Sequence, residues 1–308
     1  MQISYNQIED FLNCKGIAFS IKGNLQSNYK ICSLFYPESN GFYFVIGNNL
    51  NSKIKKSLIL SSTNFEISKD NAMLVINENP QVVYYMITDY YFGEKSTGEV
   101  CKTAVIHKNA IIGKNVQIDS YAVLGNCVIG NNTIIKSHSV ITDNSCIGQN
   151  VIIEPHCTVG ATGTAWAMGG DGVKIKQPQL GGVIVKDNCF LGANSTIVRG
   201  SLNEKTTIGE NTIIAPGARI GHGTQIGKSV HFANNVVTGG NSKINDFCFV
   251  GSSVTFRPKV EVHPFTVVGA GAVVVKNTSK ENSLLIGVPA KETTSKNNLT
   301  GVPSYKRK

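Results

Sequence analysis

From Ile106 onward an aliphatic residue returns at every sixth position. The series runs Ile106, Ile112, Ile118 and Leu124, takes one five-residue step to Ile129, and resumes through Ile135, Ile141, Ile147, Ile153 and Val159. A second series runs Val185, Leu191 and Ile197. Past a longer loop it continues through Ile208, Ile214, Ile220, Ile226, Phe232, Thr238, Ile244, Val250, Phe256, Val262, Val268 and Val274. Four residues after the aliphatic stands a small or β-branched one, as at Ala122, Ser195, Thr212, Ala218, Thr224, Val254 and Thr266. Neither a helix nor an alternating strand has a period of six, but a hexapeptide solenoid does. Each hexad is one short strand and one tight turn, with the aliphatic pointing inward and the small residue filling a corner. Three hexads close a triangular coil of roughly 18 residues, and coils stack at about 4.8 Å. The pattern predicts a mainly β chain whose residues 101–290 form a left-handed parallel β-helix.

Residues 1–100 lack this period and read as a small α/β domain. Ser4 is placed to cap a helix carrying Ile8, Phe11 and Leu12 on one face. Strand-like runs follow at Ile31–Tyr36, Phe42–Ile46, Ser57–Leu60 and Met73–Ile76, and Pro80–Phe92 reads as a helix. Two segments break the hexads, residues 160–184, which hold the only tryptophan, Trp166, and residues 198–207. Long loops in a regular solenoid are commonly functional or interfacial. Residues 291–308 are expected to be a loose, basic, polar tail.

Composition narrows the class. The charged fraction of 16% and hydrophobic fraction of 41% are those of a folded domain, not a disordered or collagen-like chain. No apolar run approaches the length of a transmembrane helix, and the first residues do not read as a secretory signal, so a cytoplasmic location is expected. The net charge of +9 is spread along the chain, without the stripe that nucleic-acid binding requires. Part of it lies at the end, in Lys291, Lys296, Lys306, Arg307 and Lys308. That end reads either as a solvated tail or as a surface for an acidic carrier protein or a phosphorylated substrate. The eight cysteines form no CxxC pair. Cys157, Cys189 and Cys248 recur at the small-residue position and read as core.

The six histidines show no H-x-x-x-H spacing, so no metal site is expected. His222 differs in context. It lies between Gly221 and Gly223, and Gly240 stands 18 residues on, one coil away. A neutral imidazole can take a proton from an amine or hydroxyl at neutral pH, a contribution worth roughly 10²–10⁴-fold. A backbone N–H on a residue without a side chain can hold the oxyanion of a thioester's tetrahedral intermediate, worth about 2.7–4 kcal/mol. Acyl transfer from a thioester needs this pair.

Several segments together resemble the UDP-3-O-acylglucosamine N-acyltransferases, hexapeptide-repeat enzymes of lipid A synthesis. Ala72–Pro80 and the helix after it resemble the end of that family's nucleotide-binding domain. Pro178–Val183 resembles its P-Q-L-G-G-V signature, and Val198–Leu202 its D-R-G-A-L excursion. Ile220–Gly227 resembles the motif that carries its catalytic histidine. The resemblance implies a homotrimer, with His222 as base and Gly240 as oxyanion donor. It also implies Lys259 near the substrate, where the family has a second histidine, and Phe44 as the ring that stacks a uracil. Gly47 and Leu50 replace the amide and tyrosine of the family's uracil site, with Asn48 or Asn49 as substitutes, and Ala215 stands where the family has an aspartate paired with its histidine. The expected reaction moves an acyl group from an acyl carrier protein or CoA thioester to the amine of a nucleotide-linked amino sugar, without a bound cofactor. Gly287-Val288-Pro289-Ala290-Lys291 resembles CoA-dependent acetyltransferases instead, so a CoA-dependent acetyltransferase for a surface-polysaccharide sugar is the alternative. A non-catalytic binding prism is the reading from another class.

Overall fold

The computed structural model describes residues 1–294, and the chain forms two compact units, Met1–Glu94 and a second beginning at Lys95. The second unit starts ahead of residue 101 because the preceding segment is already bonded to the first coils. Cys101 N–H donates to Ile118 O at 2.8 Å, Ile118 N–H to Glu99 O at 2.9 Å, and Ser96 Oγ to Asn115 O at 2.7 Å.

The N-terminal unit is a six-stranded sheet in the order Gln2–Ser4, Asn28–Ile31, Gly41–Val45, Leu58–Ser61, Ala72–Ile76, Phe19–Gly23. The four central strands pair in parallel and the two outer ones antiparallel. Central strands buried on both faces read as unbroken apolar runs, which is why Leu58–Ser61 and Ala72–Ile76 are legible as such. The helix Tyr5–Cys14 begins in a capping box in which Ser4 Oγ accepts Gln7 N–H and Gln7 reaches back to Ser4 N–H. Ile8, Phe11 and Leu12 are buried. The helix Pro80–Phe92 starts at the Asn79 cap with Pro80 in its first turn and buries Val83, Tyr84 and Ile87. The expected strand Ile31–Tyr36 is a correction. Only Ile31 belongs to a strand; Leu34, Phe35 and Tyr36 are exposed, and Tyr36 N–H closes a turn onto Ser33 O at 3.1 Å.

In the second unit the strands are mostly two residues long and stack into three parallel sheets, the faces of a triangular prism. The hexad aliphatics sit directly above one another. On the first face Ile197 pairs with Ile220, Ile220 with Thr238, Thr238 with Phe256 and Phe256 with Val274. Almost all of them are buried in one continuous core. The fold is a left-handed parallel β-helix. Cys157, Cys189 and Cys248 lie in this core, and burial pushes their thiols up to about 12, 11 and 12, so they are inert.

The corners demand a left-handed residue once per turn, which asparagine tolerates best after glycine. Asn115, Asn132, Asn150 and Asn188 all have positive φ and their amides link coil to coil at 3.0–3.1 Å. A second corner carries Tyr121, His138 and His156 in the same conformation, stacked at 5.2 and 4.9 Å between ring centroids. The prism ends in an antiparallel hairpin of Ser283–Ile286 with Lys291–Thr294. Lys291–Thr294 was expected to be loose. It is a strand because Glu292 is pinned by Ser279 N–H and Ser283 Oγ, and its charged residues close the sheet edge. Residues 295–308, with Lys296, Lys306, Arg307 and Lys308, lie outside the described residues.

Candidate functional site

His222 stands at the corner where the first face turns into the second. Strand Arg219–Ile220 leads into Gly221-His222-Gly223, and strand Gln225–Ile226 follows. One coil on, Val237–Thr238 leads into Gly239-Gly240-Asn241, and the next coil turns at Arg257-Pro258-Lys259. Asn241 N–H donates to His222 O at 2.7 Å and Lys259 N–H to Gly240 O at 3.0 Å, which locks the three turns in register. Gly223, Asn241 and Lys259 take the left-handed conformation. Gly240 does not, so its backbone suits any residue. The imidazole is what requires glycine there: a Cβ on Gly240 would run into His222 Nε2 and lie 2.7 and 2.8 Å from Cδ2 and Cε1. Among the described residues Gly240 N–H donates to no acceptor, and in the next coil Pro258 has no N–H to offer.

The other ring nitrogen meets the shorter interruption of the repeat. Ser201 Oγ lies 3.1 Å from His222 Nδ1. Ser201 is held there by two sets of bonds. First, the two interruptions are joined, with Leu180 N–H donating to Ser201 O at 2.8 Å, Gly181 N–H to Gly200 O at 3.1 Å and Gly200 N–H to Gly182 O at 3.1 Å. This approach is closed to side chains, since a Cβ on Gly181 or Gly200 would collide with Glu204 O. Second, Glu204 Oε1 accepts Ser201 N–H at 2.7 Å and Oε2 accepts Leu202 N–H at 3.0 Å. The Leu202 amide foremost and then the Glu204 amide hold this carboxyl down at about 2 against desolvation, with a lesser contribution from the Ser201 amide. Buried Thr206 finishes the clamp by donating to Val198 O at 2.6 Å and accepting Gly223 N–H at 2.9 Å.

Ala215 lies at a different corner from His222, before strand Arg219–Ile220, where its N–H bonds Phe232 O at 2.8 Å. The imidazole's partner is therefore Ser201, a residue the hexad pattern does not single out. The signal for it was a Ser-x-x-Glu spacing inside a repeat break, which is the spacing of a self-capping turn. Arg199, in the same excursion, faces inward along the chain. Its Nε donates to Gly160 O at 2.9 Å and its Nη2 to Asp143 O at 3.1 Å, a structural tie. Lys259 is exposed. Beside the excursion, a groove on the second face is lined by Ile111, Val128, Cys146, Leu180, Leu202 and Lys205.

In the N-terminal unit Phe44 is half-buried and packs on Tyr84 and Tyr85 with ring centroids 5.3 and 5.9 Å apart. Gly47 turns the chain after it at positive φ. No group of three or more histidine, cysteine or acidic residues able to hold a metal occurs among the described residues. His231 stacks on Phe249 at 5.0 Å, and His263 Nδ1 lies 2.8 Å from Thr278 Oγ1. No described helix is long and apolar enough to cross a membrane.

Residues 109–143, 126–161 and 205–240 match the model of the bacterial transferase hexapeptide, six repeats. The UDP-3-O-acylglucosamine N-acyltransferase of Caulobacter sp. (strain K31) is 34% identical over 143 residues, 46% of this chain and 38% of that protein. The protein of the same name from Methylorubrum populi is 35% identical over 104 residues, 34% of this chain and 29% of that protein. The matched stretch thus covers well under half the length of these relatives. Among solved structures, the UDP-N-acetylglucosamine acyltransferase of Francisella novicida superposes with a TM-score of 0.56 at 27% identity, over 63% of this chain and 69% of that one. That of Bacteroides fragilis gives 0.57 at 23%, over 63% and 74%, a likeness of fold.

Proposed function

We propose that the protein is an acyltransferase that moves an acyl group from a thioester to the amine of a nucleotide-linked amino sugar, with His222 as general base. The observation that carries this reading is His222 Nε2 lying against Gly240, a residue kept free of a side chain by that ring and bearing an unclaimed N–H. Nε2 removes the amine proton as nitrogen attacks the thioester carbonyl. Gly240 N–H holds the oxyanion until the carbon–sulfur bond breaks, and the thiol leaves. Lys259, in the next coil of the same corner, steadies a phosphate or the developing negative charge. The named relatives support a sugar nucleotide as acceptor and the lipid A step as the nearest chemistry. Phe44, part of an aromatic cluster on the N-terminal unit, is proposed to stack the base of that nucleotide. A homotrimer is proposed on the resemblance to the UDP-3-O-acylglucosamine N-acyltransferases. The reaction needs no bound cofactor, and a cytoplasmic location fits its substrates.

The donor is an acyl carrier protein or CoA. The turn Gly287–Lys291 between the last two strands supports CoA, and with it the acetylation of a surface-polysaccharide sugar as a second reading. A screen of acyl-carrier and acyl-CoA thioesters against a panel of nucleotide amino sugars, read by mass of the product, tests both. Transfer to a sugar amine from either donor is the expected result. No transfer from any thioester overturns the enzyme reading and leaves the binding prism.

A further inference from the structure

The groove on the second face has no part in the acyl-transfer reading as stated, yet it leads to the base. Its floor is a ladder of outward side chains, Ile111, Val128 and Cys146, paired strand to strand. Ile111 and Val128 are 63% and 40% exposed. Two residues ahead of each floor residue stands an asparagine, Asn109, Asn126 and Asn144, and all three line the groove. The same register carries this column onward through Gly182 and Lys205, which pair directly, to Gly223 beside His222. Leu180 and Leu202, from the two joined interruptions, also line the groove.

The polar groups along this column are unclaimed. Among the described residues the side-chain amides of Asn109, Asn126 and Asn144 and the Lys205 ammonium have no partner. Ser145 Oγ, in the same lining, is buried without one, and a buried hydroxyl left unpaired calls for a partner. Lys205 is the only charged residue of the lining. Glu204 lies outside it, with its carboxylate claimed by the Ser201 and Leu202 amides at 2.7 and 3.0 Å. With a coil rise of about 4.8 Å, Lys205 stands about 5 Å below the Gly223 turn, and Asn144 and Asn126 about 14 and 19 Å below it. Counted from the base, a cation comes first, and hydrogen-bonding amides over an apolar floor come after. In a nucleotide-linked sugar the diphosphate is attached to the sugar ring and the nucleoside lies beyond it. A pantetheine thioester has the reverse order, with amides next to the sulfur and its phosphate at the far end. A hydrocarbon chain offers the asparagines nothing. We propose that this groove holds the acceptor, with the amino sugar at His222, the diphosphate on Lys205, and the ribose hydroxyls and base edge on Asn144 and Asn126 above Cys146 and Val128. A lysine ammonium binds phosphate as a point charge, and a primary amide both donates and accepts. The acceptor thus approaches His222 from the N-terminal end of the prism. The groove is built from the prism alone, whether or not Phe44 stacks the base.

This placement rests on the acyl-transfer reading, but binding is measurable without turnover. The full chain is titrated calorimetrically with UDP, CDP, ADP and GDP, and with CoA as the probe of the donor side. Wild type, Lys205→Gln and Val128→Glu are compared, and KM for acceptor and donor is measured on the same proteins. Val128→Glu sets a carboxylate on the groove floor at an exposed position, and a thermal melt checks its fold. The wild type is expected to bind at least one of the nucleoside diphosphates. Both variants are expected to weaken that binding at least about tenfold, the worth of a hydrogen bond to a charged group, with CoA affinity held within about twofold. KM for the acceptor should rise in step while that for the donor holds. Lys205→Gln decides the matter if Val128→Glu fails to fold. A wild type that takes up no nucleoside diphosphate, a Lys205→Gln protein that binds as the wild type does, or a loss of CoA affinity in place of nucleotide affinity overturns the placement. His222→Ala measured alongside keeps the two levels apart. Full activity in that variant removes the reading of His222 as base, while the titrations still judge the groove.

Discussion

Gly240→Ala isolates the contact on which the site depends. Gly240 is not in the left-handed region, so alanine carries no backbone strain there, and the added methyl meets the imidazole. Its Cβ would stand 2.7 Å from Cδ2 and 2.8 Å from Cε1, where ordinary contact begins at 3.4 Å. Nε2 is nearer still, so the ring must withdraw by about 1 Å, out of the position in which Nδ1 lies 3.1 Å from Ser201 Oγ. A displacement near 1 Å in a reacting group costs about 100-fold in rate, or roughly 2.7 kcal/mol of barrier. Thiol release from the thioester donor, followed with saturating acceptor, reads kcat directly, and a thermal melt checks the fold. The expected outcome is a kcat down about 100-fold with an unchanged melt. A Gly240→Ala protein within about threefold of wild type refutes the claim that the ring position against Gly240 matters.

Glu204 makes the excursion pH-sensitive. Its folded value is depressed from 4.5 to about 2, so its ionised form stabilises the fold above the ordinary carboxylate range, and the contribution is lost as pH falls from 4.5 toward 2. The stability gap between wild type and Glu204→Gln, taken from urea melts, should be constant at neutral pH and close over that window; a gap that widens on acidification contradicts the sign. In the core, Phe232 is fully buried with its ring 6.3 Å from that of Phe256, and Phe232→Ala should cost about 3–5 kcal/mol in denaturant melts. At the corner, Asn132 has φ 58°. Asn132→Ala and Asn132→Gly lose the same amide bonds, so alanine should be the less stable by about 1 kcal/mol from left-handed strain, and equal melts would count against that strain.

What the sequence shows and what it hides follow from geometry. The prism was legible because one inward side chain per hexad has to be apolar, and stacking repeats that demand coil after coil, from Ile118 to Val274. His222 and Gly240 were legible for the same reason, since a fixed coil length converts a spacing of residues into a contact. Ser201 and Glu204 escaped because they lie where the period is broken, and their juxtaposition to His222 depends on bonds from a second break at Leu180 and Gly181. In the N-terminal unit the buried parallel strands could be read, but the edge strand Phe19–Gly23 alternates apolar and polar over only four residues, Phe19 to Lys22, and is mostly exposed. Leu34-Phe35-Tyr36 misled in the opposite way, as an apolar run that the fold leaves in solvent. The strand Lys291–Thr294 is wholly polar because it closes an open edge.

The central claim is that the nitrogen lying on Gly240 takes the proton of the attacking amine. It is tested most directly by the acyl-transfer rate of His222→Ala, whose side chain is only half-buried and whose removal leaves the stacked core intact. Measured against wild type with the best thioester donor, the rate should fall by roughly 10²–10⁴ while the melting temperature holds. A His222→Ala protein that transfers the acyl group at the wild-type rate would contradict the account.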